Sequence, residues 1–370
     1  MPRYVIDEAA LRRNLEILKG VSDRTGAKIL LAQKAFSCTA AYPLCAKYLA
    51  GTTASSLFEA KHGHDHFGGE THVFAPAFIP EEMDELLGLV DHIVFNSPRQ
   101  VEKFGEAARA RGVSVGLRVN PEVSVATTPA YDPCRPSSRL GTKCVELGNV
   151  ERLNLDGFHF HCLCEQGLDE LRKVLAGFEE KFGRLLPQVK WVNFGGGHHI
   201  TRADYDVEGL VALLNDFRAR YPHLVVYLEP GEAVALNAGT LEARVLEIQP
   251  RGADGVSNAI LDTSAACHMP DVLEMPYTPR VTGAVIGTAG PCIYRFGGPT
   301  CLAGDEIGVY SFPEPLSEGD KVVFEDMAIY TMVKNNTFNG LNLPGIVFRR
   351  EGGEEKTVRT FSYSDFSGRL

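Results

Sequence analysis

Short apolar runs and amphipathic stretches alternate along the chain as far as Leu228. The apolar runs are 29–32, 52–55, 72–75, 92–95, 114–119, 155–161, 190–194 and 224–228. Each has the length and makeup of a buried strand. Most are separated by stretches with helical spacing, among them 80–89, 98–111, 168–182 and 205–220. A first strand is expected around Tyr4 to Ile6, and Asp7 is placed to N-cap a helix over 8–19. Eight strand–helix units in a row predict a closed parallel (β/α)8 barrel. A doubly wound open sheet is the alternative, but no GxGxxG follows the first strand, which argues against a dinucleotide site.

After about Ala233 the pattern changes. Strand-like runs at 241–248, 259–261, 280–286, 306–310, 321–324 and 345–349 are punctuated by Gly and Pro, and helical spacing becomes scarce. This predicts a second domain, a β-sandwich or β-barrel. The expected division is an α/β barrel over 8–232 and a β domain over 233–370, the latter joined by the strand within 1–7.

Composition narrows the class of protein. A length of 370 residues favours two domains, and 44% hydrophobic with 23% charged residues is ordinary for a globular chain. The formal net charge of -10 argues against nucleic acid and is compatible with a cationic small molecule. There is no basic start followed by an apolar stretch, and no run long enough to span a bilayer, so neither a signal peptide nor a membrane partner is expected. Nine cysteines without disulfide-framework spacing point to a reduced, cytoplasmic setting.

The candidate chemistry lies at the strand ends, where β/α barrels carry their active sites. Lys34 follows the run 29–32. Arg118 and Asn120 end the fifth run, His159 and His161 the sixth, and Glu229 the eighth, while Gly195, Gly196 and Gly197 follow the seventh. A desolvated lysine amine loses its charge more readily and becomes a nucleophile toward carbonyls, including that of pyridoxal phosphate. Three glycines admit close approach of backbone N–H groups to a phosphate. A carboxylate such as Glu229 can keep a pyridine nitrogen protonated. Alone, Lys34 reads as a strand-end lysine and the glycines as a tight turn; together, in this order, they favour a pyridoxal phosphate site. Zinc is the rival for His159, His161, Cys162 and Cys164, but no second ligand pair stands at standard spacing, so no metal is expected. His62, His64 and His66 read as a solvated helix end.

The segments Leu31-Ala-Gln-Lys34-Ala-Phe, Phe158-His-Phe-His161-Cys-Leu-Cys164-Glu165, Asn193-Phe-Gly-Gly-Gly197, Glu229-Pro-Gly-Glu232, Gly298-Pro-Thr-Cys301-Leu-Ala-Gly-Asp305 and Glu325-Asp-Met-Ala-Ile-Tyr330 carry a resemblance over nearly the whole chain. The chain resembles the fold-type III pyridoxal phosphate decarboxylases, the alanine racemase-like group. Within it, the similarity is to the branch acting on carboxynorspermidine and carboxyspermidine. The resemblance implies that Lys34 is the Schiff-base lysine and that His161 stacks on the cofactor ring. Cys164 then takes the place of a serine near the phosphate, Gly195 to Gly197 form the phosphate loop, Glu229 meets the pyridinium nitrogen, and Tyr330 lies near the phosphate. Arg118 joins the cofactor-binding set. Cys301 matches the acid that reprotonates the carbon left by carbon dioxide, given in trans, so a homodimer with shared active sites is implied.

Three departures bear on the substrate. Relatives acting on ornithine or diaminopimelate usually have a phosphate-binding Arg where this chain has Glu232, an acid where it has Leu302, and a glycine where it has Leu163. A carboxylated polyamine brings ammonium groups that acidic residues should meet. Glu232, Asp271, Glu274 and Asp305 are the candidates, each also readable as part of a solvated acidic face. The competing readings are a decarboxylase of diaminopimelate, ornithine or arginine, and a catalytically inactive relative that only binds the cofactor or a partner. The pairing of Lys34 with Cys301 speaks against the last.

Overall fold

The computed structural model describes residues 1–370. The chain divides into two compact units, one of residues 13–234 and one of residues 1–12 with 235–370.

In the first unit, eight strands pair in parallel and close on themselves. They are Lys28–Ala32, Gly51–Ala54, Glu70–Phe74, His92–Phe95, Ser114–Asn120, Gly157–His159, Trp191–Asn193 and Val225–Leu228, each bonded to the next and the last to the first. The apolar runs form strands because both faces are covered, which suits continuous Val, Ile and Leu. The sixth and seventh strands are three residues each, shorter than the runs 155–161 and 190–194. Beyond them the backbone leaves the ladder to build the strand-end loops that carry His161 and the glycines. Helices Leu57–His66, Pro98–Ala110, Leu168–Phe182 and Val207–Arg220 return between strands. Side-chain caps start three of them: Ser56 accepts from Glu59 N, Ser97 from Gln100 N, and Asp206 from Gly209 N. The stretch 80–89 is only a 3-10 turn Pro80–Glu82 running into Met83–Leu86.

The second unit holds one mixed sheet of nine strands. Its order is Val285–Ile286, Glu306–Phe312, Cys292–Gly297, Ser257–Leu261, Gly239–Ile248, Arg3–Asp7, Gly345–Arg349 and Glu355–Arg359, with Lys321–Glu325 pairing Gly239–Ile248 off that path. The N-terminal strand is therefore central to this sheet, antiparallel to Gly239–Ile248 and parallel to Gly345–Arg349. Asp7 ends it and caps the helix Glu8–Thr25, with Oδ1 accepting from Ala10 N at 2.8 Å. The run 280–286 yields a strand only at 285–286, because Gly283 adopts φ +78° and turns the chain. No helix is long and apolar enough to cross a membrane.

Inside the barrel, Trp191 fills the space over two glycines on neighbouring strands. A Cβ on Gly157 would sit 2.0 Å from the Trp191 ring, and one on Gly116 2.3 Å from it. Trp191 is 3% exposed and packs with Leu30, Val94 and Tyr227. Overpacking here costs about 1–3 kcal/mol. Gly157→Ala is expected to lower the thermal midpoint by calorimetry, at about 2–4 °C per kcal/mol, and Trp191→Leu in the same chain to recover part of the loss. An unchanged midpoint in the single variant would contradict this packing.

Candidate active site at the strand ends

Lys34 stands two residues beyond the strand Lys28–Ala32, after Gln33, whose N–H bonds Thr53 O. Its side chain is exposed, yet the protein around the amine desolvates it. Desolvation lowers its pKa, and the Arg118 guanidinium lowers it further; Glu229, Glu59 and Glu232 work in the opposite direction. The barrel mouth thus gathers one lysine, one arginine and three carboxylates into a common field. Glu59 was not legible as a site residue. It sits in the first turn of Leu57–His66, its Oε2 accepts from Ser55 N at 2.6 Å, and burial pushes its pKa up.

Glu229 immediately follows the eighth strand and is 9% exposed. Asn193 Nδ2 donates to its Oε1 at 2.7 Å, and His159 Nε2 lies 3.2 Å from its Oε2. Burial pushes both Glu229 and His159 toward their neutral forms. Electrostatic attraction to His159 and its hydrogen bond, then His72 and the Asn193 hydrogen bond, reverse this for Glu229, which is held well below the usual range, while His159 stays lowered. A neutral His159 whose Nε2–H points at an ionised Glu229 satisfies both directions. Its Nδ1 is then a buried atom without a partner.

Asn193 also reaches the other way: its Oδ1 accepts from Gly195 N at 2.8 Å. Gly196 N donates to His161 Nδ1 at 2.9 Å, which places the His161 proton on Nε2. Two of the three loop N–H groups are therefore spent within the protein. The glycines are required for another reason. Gly195 and Gly197 have φ +69° and +82°, and a Cβ on Gly196 or Gly197 would lie 2.1 Å from Glu229 O or 2.0 Å from Leu163 O. The loop threads between its neighbours with no room for a side chain.

Arg118 is 4% exposed; its Nη2 donates to His161 O at 2.9 Å and its guanidinium lies 4.6 Å over the Phe74 ring. Burial lowers its pKa to about 10. Cys164 is half-buried, its thiol pushed up to about 11 by burial. Glu232 opens the short helix Glu232–Ala235, and its Oε2 lies 3.0 Å from His199 Nε2. His159 and His161 are thus both engaged, with Glu229 and with Gly196, and not with each other.

The remaining candidates belong to the second unit. Cys301 is exposed on a turn, its N–H bonded to Asn339 Oδ1 at 2.7 Å. Asp305, 4% exposed, ties that turn down: its carboxylate accepts from Ser264 Oγ at 2.9 Å, Thr300 Oγ1 at 2.7 Å and Ala266 N at 3.1 Å. Asp271 and Glu274 share the helix Asp271–Glu274, and both take an ion pair from Lys334. Tyr330, at φ +51°, immediately precedes the helix Thr331–Lys334.

The barrel-mouth set fits pyridoxal phosphate. It offers an amine biased toward neutrality for an aldehyde, an ionised carboxylate for a pyridine N–H, an imidazole of fixed tautomer, and a glycine cradle that any Cβ would block.

Comparison with known proteins bears on the same point. Residues 3–328 match the family described as "Pyridoxal-dependent decarboxylase, C-terminal sheet domain". The chain is 44% identical to the carboxynorspermidine/carboxyspermidine decarboxylase of Campylobacter jejuni, over 99% of this chain and 97% of that one. It is 41% identical to the carboxyaminopropylagmatine decarboxylase of Synechocystis sp., over 100% of this chain and 95% of that one. The crystal structure of carboxynorspermidine decarboxylase from Campylobacter jejuni with norspermidine superposes with a TM-score of 0.93 at 43% identity, covering 100% of both chains.

The buried His199–Glu232 pair makes a pH prediction. His199 loses by burial but gains more from Glu232, so its folded pKa lies above the ordinary value of 6.5. A raised folded pKa stabilises fully below the unfolded value, and the contribution is lost as pH rises through the folded value. The midpoint difference between wild type and His199→Asn should therefore shrink on going from about pH 6 to about pH 9. A difference independent of pH would refute the pair.

Proposed function

The chain belongs to the pyridoxal-dependent decarboxylases, and from that premise we propose how its own residues carry the reaction and on which substrate. The proposed substrate is a carboxylated polyamine, carboxynorspermidine or carboxyspermidine, converted to norspermidine or spermidine. What carries this reading is the full-length similarity, at 43–44% identity, to an enzyme of that name solved with norspermidine. Leu302 supports it, because a leucine after Cys301 offers no carboxylate to the ammonium group of a short substrate. Carboxyaminopropylagmatine is the second reading, favoured by the 41% identity to the Synechocystis enzyme.

Bound pyridoxal phosphate supplies the electron sink for the carbanion left at Cα when carbon dioxide departs. Lys34 would hold the cofactor through its aldehyde carbon, and its lowered pKa keeps the amine available as a nucleophile. Glu229 stays ionised and would keep a proton on the pyridine nitrogen; His159 and Asn193 fix where that carboxylate points. His161 presents a ring of fixed tautomer to the cofactor face, anchored by Gly196 N and, through its own carbonyl, by Arg118. The Gly195–Gly197 loop, Cys164 and Tyr330 serve the phosphate. Cys301 would hold the proton that Cα takes up once the carboxylate has left as carbon dioxide, and its thiolate would then regain a proton from water.

Among the acidic candidates, Asp271 and Glu274 are the ones we assign to substrate amines. Lys334 already occupies both carboxylates, so an incoming ammonium group shares or replaces that cation. Asp305 is committed to the Cys301 turn and acts by positioning it. Glu232 is committed to His199. The active unit is a cytoplasmic homodimer in which Cys301 serves the site of the other subunit.

Two experiments check this. Carbon dioxide release should show higher kcat/KM for a carboxylated polyamine than for ornithine, arginine or diaminopimelate. Losing a charge-assisted contact costs about 1.5–3 kcal/mol, so Asp271→Asn should lower kcat/KM for that polyamine about ten- to a hundredfold with cofactor content intact. More efficient turnover of diaminopimelate or ornithine would sink the substrate assignment. For the shared site, mixing inactive Lys34→Ala and Cys301→Ala chains should restore activity to about a quarter of normal sites. No recovery after demonstrated subunit exchange would rule out a cysteine given in trans.

A further inference from the structure

A cluster of metal-ligating side chains lies at the opposite end of the barrel strands from Lys34. Glu70 and His72 are two apart on the strand Glu70–Phe74, so both side chains fall on one face. His92 opens the adjacent strand, directly across from His72. One donor atom from each of the three lies within 4.8 Å of the other two. His72 Nε2 is 3.0 Å from Glu70 Oε2, and the two imidazoles stack with centroids 4.0 Å apart. His72 is 1% exposed, yet its Nδ1 has no hydrogen-bond partner, and the buried Nδ1 of His92 has none either.

Such a set is unusual where it stands. Barrel interiors are filled mainly by branched apolar side chains. Here the rings of Tyr227 and Trp191 close around the two histidines, with Tyr227 4.8 Å from His72 and Trp191 5.2 Å from His92. None of the three is among the residues assigned to the decarboxylation.

We propose that Glu70, His72 and His92 form a binding site for one divalent transition-metal cation of the zinc type, toward the end of the barrel strands opposite Lys34. Two imidazoles and a carboxylate are a donor set that suits such ions, with water completing the coordination. Zinc takes nitrogen and oxygen ligands at about 2.0–2.2 Å, which puts tetrahedral donors about 3.4 Å from one another. Closing the present spread requires the stacked rings to tilt until their lone pairs converge. Side-chain torsions supply that movement while the strands stay in register. Lys28 donates to Glu70 Oε1 and leaves Oε2 facing the histidines. A ligand carboxylate held from behind by an outer donor is the usual arrangement at metal sites. The bound ion would tie two adjacent strands at the barrel face whose role is stability.

The test uses tag-free holoenzyme, dialysed against chelator and then equilibrated with Zn2+. Metal content measured by mass spectrometry should reach one tightly held equivalent per chain, with a rise in thermal midpoint. His92→Phe, which keeps a ring on the stack, and Glu70→Gln should each lose that equivalent and the rise, with cofactor absorbance unchanged. Co2+ replaces Zn2+ as an optical probe of wild type and needs no variant to fold. Visible bands without intense thiolate charge transfer support the site. No tight equivalent in wild type, an equivalent retained by His92→Phe, or a thiolate band pointing to the cysteines would each overturn the proposal.

Discussion

The barrel mouth depends on one buried charge. Glu229 is nearly excluded from water, and an ionised carboxylate there is stable only if donors surround it. Asn193 supplies one from the strand that pairs with the one leading to Glu229, and His159 another from the strand beyond it. Because Asn193 uses its amide nitrogen on Glu229 and its oxygen on Gly195 N, the same side chain sets the carboxylate and the glycine loop. Gly196 N then sets His161, whose carbonyl is set by Arg118. Removing the charge would leave Asn193 and His159 without their acceptor, and the loop without its reference point.

That chain of contacts also leaves no room for side chains at the glycines of the loop. Gly196 lies against the carbonyl of Glu229 itself, and Gly197 against that of Leu163. The loop cannot relax outward, and its glycines reflect close packing and left-handed backbone as much as phosphate approach. In the other unit, Asp305 plays a comparable part for the turn bearing Cys301, a second buried carboxylate whose donors are spent on holding one loop.

Much of the barrel was legible because parallel strands covered on both faces must be continuously apolar, so that 29–32 and 92–95 announce themselves. The β unit was harder to read. Cys292–Gly297 alternates burial only weakly and follows Gly and Pro, while Glu355–Arg359 is almost wholly solvated and has no apolar signature. Both become strands through their neighbours in the sheet. Within the site, Lys34, His161 and Glu229 stood out as chemistry at strand ends. Asn193 and His159 as the partners of Glu229 did not, nor did His199 as the partner of Glu232. Those pairings join segments 36, 70 and 33 residues apart and exist only once the strands are in register. Asp305 was legible for the same reason only as an acid: its charge was visible, the donors that consume it were not.

The account's central claim is that Lys34 and Glu229 grip opposite ends of one pyridoxal ring. A crystal structure of the protein with pyridoxal phosphate and norspermidine tests it most directly. The account predicts a covalent link from Lys34 Nζ, or from the product amine that displaces it, to the aldehyde carbon. It also predicts Glu229 within hydrogen-bond distance of the pyridine nitrogen, with its contacts to Asn193 and His159 retained. A cofactor whose pyridine nitrogen faces any group other than Glu229, or whose aldehyde carbon lies out of reach of Lys34, would contradict it.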